Sequence, residues 1–113
     1  MTEKEFQKRF LEAVDAAFAS LGESAKQSIY YHLESKFRVS RDEIPYRVED
    51  FENGLEKIFG AGTRFLEVLI MRKLHESMGP DAGIIKWDED REFRFVDYVK
   101  TAERDFSERK KKS

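Results

Sequence analysis

The stretch from Gly60 to Gly79 constrains this chain most, because Phe65, Leu66, Val68, Leu69, Ile70, Met71 and Leu74 fall on nearly every side of a helix. A helix that is apolar around most of its girth has to be surrounded by the rest of its own chain. The expected architecture is therefore an all-α bundle of about five helices built around a central apolar helix over residues 63–78. With 113 residues the chain suits one domain, spanning 1–113 with a frayed basic end from about 108. A domain near this length buries roughly 65% of the surface its unfolded chain exposes, enough for one core.

The flanking segments supply the wrapping helices. Thr2 with Glu5 forms a capping-box pattern, after which Phe6, Phe10, Val14, Ala17, Phe18 and Leu21 recur at helical spacing until Gly22. Ser24 is the expected N-cap of a second helix carrying Ala25, Ile29, Tyr30, Leu33 and Phe37 along one side. The pattern breaks between Arg38 and Tyr46, where Ser40 and Glu43 suggest one capped turn and Pro45 disfavours helical geometry at Ile44. A third helix starts near Val48 and repeats Phe51, Leu55, Ile58 and Phe59. Gly54 inside it costs roughly 1 kcal/mol relative to alanine, which points to a close backbone contact. Gly60-Ala61-Gly62 turns the chain into the central helix, and Gly79-Pro80 ends it. Between Asp81 and Phe95 the alternation of Ile85, Trp87, Phe93 and Phe95 fits either a short β-hairpin near 84–95 or a loop anchored by Trp87. Phe95, Val96, Val99, Ala102 and Phe106 then restore the helical period into Arg109-Lys110-Lys111-Lys112.

Charge and residue usage restrict function more than they reveal it. Charged residues form 39% of the chain, yet the net charge is only -2, so the signs are interspersed. That balance argues against a dedicated nucleic-acid binder. With no cysteine there are no disulfides, thiolate nucleophiles or thiolate zinc ligands. Neither an apolar leader nor a membrane-length apolar run is present, so a cytoplasmic protein is expected.

Individual motifs carry little chemistry. Gly60-Ala61-Gly62 has neither the lysine nor the hydroxyl of a phosphate-binding loop and reads as a tight turn. His32 and His75 fall on different helices without a metal-helix motif. Asp88-Glu89-Asp90 lacks the oxygen-ligand spacing of a calcium loop. Glu34 and Glu67 stand among lysines and arginines, where helix-face ion pairs explain them. The cations at Arg109 to Lys112 complement a frayed, solvated helix C-terminus, with contact to phosphates or anionic lipid as the alternative. No catalytic residue, cofactor or metal site is assigned.

One flank suggests recognition. Ser24, Ser28, Tyr31 and Ser35 share one side of the second helix, with His32 at its edge, so small hydroxyls surround one large amphipathic ring. Such a surface lets another helix approach closely, and tyrosine serves interfaces because its body is apolar and its tip polar. Packing of the same flank against the chain's own last helix is the competing arrangement.

The blocks Leu21-Gly22-Glu23-Ser24-Ala25-Lys26-Gln27-Ser28-Ile29-Tyr30-Tyr31-His32-Leu33-Glu34, Ile44-Pro45, Phe51, Leu55-Glu56-Lys57-Ile58-Phe59-Gly60-Ala61-Gly62 and Leu66-Glu67-Val68-Leu69-Ile70 resemble the Nitrosopumilus-type output domain of archaea. The resemblance spans about Phe18 to Glu76 and brings no catalytic residues to carry over. It implies an all-helical signalling or interaction module in an archaeal cytosol. Taken with the residues, it leads to the expectation of a non-catalytic protein-binding module in signalling or regulation, with a homodimer among its forms. A DNA-binding regulator is the rival, for which the second helix offers only a poor basic stripe of Lys26 and Lys36 interrupted by Glu34.

Overall fold

The computed structural model describes residues 2–78 and 95–112, with side chains described over 5–77 and 95–107. Its helices are α1 (Thr2–Ala19), α2 (Glu23–Phe37), α3 (Val48–Phe59), α4 (Thr63–Met78) and α5 (Phe95–Lys112). Short 3-10 turns at Arg41–Tyr46 and Gly60–Gly62 join α2 to α3 and α3 to α4. Among the described residues there is no strand. The expected hairpin near 84–95 lies outside them except at Phe95, which opens α5. The Thr2 cap, the Gly79-Pro80 stop, Asp88-Glu89-Asp90 and the side chains of Arg109 to Lys112 also lie outside the described set.

Local chemistry accounts for most boundaries. Gly22, at φ 110°, takes a backbone conformation that L side chains rarely adopt and leads into α2. Ser24, the expected cap, instead sits inside the first turn, because the helix already begins at Glu23. Arg38 ends α2 in the left-handed conformation, its N–H donating back to Glu34. In the following turn the Glu43 carboxylate accepts from both the backbone N–H and the hydroxyl of Ser40, at 3.0 and 2.9 Å. The expected disturbance at Pro45 is mild: the proline is accommodated within the 3-10 turn and Ile44 remains fully buried.

The centre of the bundle is not where the apolar content of α4 places it. α1 packs against α2, α4, α5 and the Arg41–Tyr46 turn, with its largest contact on α4. Phe6, Phe10 and Phe18 of α1 lie in a continuous row of rings that runs Phe106–Phe6–Phe10–Phe95–Phe51–Phe18–Tyr30, with successive centroids 5.3 to 6.3 Å apart. The row stitches α5, α1, α3 and α2 into one core through large buried areas and ring contacts that are tilted everywhere except at the stacked Phe6–Phe10 pair. α4 lines this row with Leu66, Ile70, Met71 and Leu74, all buried. Its opposite side is open. Phe65 is 68% exposed, while Val68 and Leu69 are only partly covered. Thus α4 is a wall and α1 the hub. Counting apolar residues around a helix overstates its burial, since an exposed large apolar side chain is not rare at protein surfaces.

Gly54 has the close contact expected of it. A Cβ at this position would stand 2.7 Å from Leu33 Cδ2 and 3.4 Å from the Phe37 ring, so the missing side chain lets α2 and α3 approach. Near the α3–α4 turn the Thr63 hydroxyl donates to the Leu55 carbonyl at 3.1 Å, a buried bond that pins the two helices together.

Candidate functional site

The flank of α2 faces water. Ser24, Ser28 and Ser35 are exposed, and Tyr31 is 68% exposed; the packing of this flank against α5 does not occur. The reason lies on the other side of α2. Ile29 and Leu33 are buried, and Tyr30 and Phe37 pack against the core, so the helix is already committed to α1 and α3. The side that remains is the one with hydroxyls.

His32 occupies the edge of the flank, half-buried, with its ring 5.8 Å from that of Tyr31 in an edge-to-face arrangement. Its Nδ1 is buried and finds no partner among the described residues. The ring therefore braces Tyr31 from below while the phenol projects outward. Around the helix, Gln27 and Glu34 border the flank on one side, and His32 and Lys36 on the other. The result is a narrow strip of small side chains with a protruding ring and edges of opposite charge.

What holds α2 in this orientation is a buried-edge clamp that sequence reasoning did not reveal. The Tyr30 hydroxyl donates to Asp15 Oδ1 at 2.5 Å, and Arg41 grips the same carboxylate through Nε at 3.0 Å and Nη2 at 2.5 Å. Partial burial pushes the Asp15 carboxyl upward, but the bonds from Arg41 and Tyr30 outweigh it and leave the group below the usual carboxylate range. Burial and the Asp15 bond together raise the Tyr30 phenol far above its ordinary value, so it stays a donor. No local spacing signals this cluster. Its members come from α1, α2 and the Arg41–Tyr46 turn.

A concavity of about 460 Å³ opens between α1, the start of α3 and α5, lined by Gln7, Tyr46, Val48, Val99, Lys100 and Glu103 among others. Its polar groups are largely engaged with one another: Gln7 Nε2 donates to Glu103 at 2.7 Å, Lys100 lies 3.7 Å from Glu49, and Arg47 pairs with Asp50 at 3.1 Å. Among the described residues no three His, Asp or Glu side chains assemble as a metal centre. No helix of the described residues is long and apolar enough to cross a membrane.

Glu67 departs from its expected role in a helix-face ion pair. It is only 9% exposed, and the half-buried Glu52 of α3 is the nearest acidic influence on it. Burial, Glu52, and the further negative charge of Glu56 push its carboxyl up to about 8, with Arg64 pulling weakly the other way.

No family model, curated protein or solved structure matches this chain.

Proposed function

We propose that this chain is a non-catalytic interaction module that recognises a second copy of itself through the exposed flank of α2. The observation that carries this reading is the outward projection of Tyr31 from a strip of Ser24, Ser28 and Ser35, with His32 behind it. Serines leave room for close helix approach, and a rigid aromatic ring supplies contact area at small entropic cost. A twofold axis along the helix brings the Gln27–Glu34 edge of one copy against the His32–Lys36 edge of the other, so the charges complement each other. This arrangement fits the signalling or regulatory role in an archaeal cytosol that the family resemblance implies.

Light scattering coupled to size exclusion tests the proposal. The wild-type chain is expected to run as a dimer at tens of micromolar, while Tyr31→Ala and Ser28→Arg run as monomers with unchanged helical circular dichroism. A monomeric wild type at that concentration, or folded variants that dimerise as well as the wild type, overturns it.

A further inference from the structure

α3 and α4 form a helical hairpin whose two polar contacts are stacked like rungs. The first is the buried Thr63–Leu55 bond beside the Gly60–Gly62 turn. One turn further along α4, and nearly one turn back along α3, comes the second, between Glu67 and Glu52. Here the buried carboxyl of Glu67 faces the half-buried Glu52 across the seam. Glu67 Oε2 is fully buried and finds no partner among the described residues. Two carboxylates cannot share such a position without a proton, because like charges repel and burial disfavours the charged form.

We propose that the α3–α4 seam is a proton-operated latch, closed while Glu67 holds a proton bonded to Glu52 and loosened about the Gly60–Gly62 turn when that proton leaves. The charged groups acting on Glu67 are Glu52 and Glu56 from α3 and Arg64 from its own helix. Two further polar groups reach α4 from α1 and α5, elsewhere along it. Arg9 of α1 bonds the Ser77 carbonyl at the far end, and Tyr98 of α5 donates to the Met71 carbonyl at 3.3 Å. Burial pushes the Tyr98 phenol up to about 12, so it stays neutral where the latch works. Gly60, at φ 56°, and Gly62 give the turn freedom to yield. Once Glu67 ionises, its charge faces two others across the seam, and moving α4 outward to reach water relieves all three.

The sign follows from linkage. Glu67 binds its proton more tightly folded than unfolded, so its contribution is fully present below the ordinary glutamate range and is lost as pH rises toward about 8. Carbon-13 NMR of side-chain carboxyls in the full chain reads the titration directly, and urea unfolding from pH 5 to 9 reads its consequence. Glu67 should titrate with a midpoint above 7, and backbone amides of 52–56 and 60–67 should shift with that same midpoint. Relative to Glu67→Gln, the wild-type unfolding constant should rise about tenfold per pH unit across the middle of this range. Glu52→Gln should lower the Glu67 midpoint.

A Glu67 midpoint below 6 overturns the latch, and because it is measured in the wild-type chain it does so even if the variants fold poorly. Amides that ignore the titration overturn it too. So does recovery of the low-pH amide pattern at pH 9 on adding millimolar magnesium or calcium, which makes the acidic seam a cation site.

Discussion

Tyr30 and Asp15 meet at 2.5 Å across the α1–α2 interface, and the tyrosine contributes to the apolar core and to a charged clamp through the two ends of one side chain. Its ring lies 5.3 Å from Phe18, while its hydroxyl holds the carboxylate that Arg41 also grips. The clamp fixes the roll of α2 about its axis. Rotating that helix to bury Tyr31 would break the Tyr30–Asp15 bond, the part of the clamp that α2 supplies.

Tyr30→Phe keeps the ring and deletes the bond. A hydrogen bond to a charged acceptor contributes about 1.5–3 kcal/mol, so urea unfolding should show a loss in that range, with helical content unchanged. Asp15→Ala should cost at least as much, since it leaves the Tyr30 hydroxyl and Arg41 without their shared acceptor.

The Asp15 and Glu67 shifts act on stability at opposite ends of the pH scale. Asp15 is lowered, so its contribution is present above about pH 4, its unfolded value, and disappears as pH falls through the folded one. Glu67 is raised, so its contribution fades as pH rises from about 4.5 toward about 8. The stability maximum should therefore lie near pH 5. Thermal melts from pH 2 to 9 check this, and Glu67→Gln should move the maximum upward.

Gly54→Ala tests the close approach of α2 and α3. In an exposed helix this change would stabilise by roughly 1 kcal/mol. Here the new methyl meets Leu33 in a closed core with the Phe37 ring beside it, and overpacking costs typically 1–3 kcal/mol. A net loss in denaturant unfolding is expected, and a gain would show that Leu33 can turn aside freely.

Truncation along α4 should reveal its two sides. Ile70→Ala removes fully buried methyls and should cost about 2–5 kcal/mol. Phe65→Ala, although it deletes a larger side chain, should stay within about 0.5 kcal/mol because the ring is mostly in water. Equal losses at the two positions would restore the picture of a fully wrapped central helix.

Helix positions were legible in the sequence because they depend on short-range chemistry. The 3.6-residue period, Gly60 and Gly62 ahead of α4, the Ser40–Glu43 pairing and the return of periodicity at Phe95 all act within a turn or two of the residues they govern. The gap at Gly54 was legible for a similar reason, since a glycine inside a regular helix has a local cost that some contact must offset. Ser24, Ser28, Tyr31, His32 and Ser35 could be grouped on one flank from spacing alone. Whether that flank met water or α5 could not be decided, because a period fixes which residues share a side and not where the side points.

Only the tertiary structure decided that α1 is the hub, that Phe65 is exposed, and that Asp15, Tyr30 and Arg41 converge. It also turned Glu67 from a surface ion-pair residue into a buried carboxyl facing Glu52. Each of these depends on distances between helices far apart in the chain, and on the free energy of removing a group from water. Spacing along one helix carries no information about either.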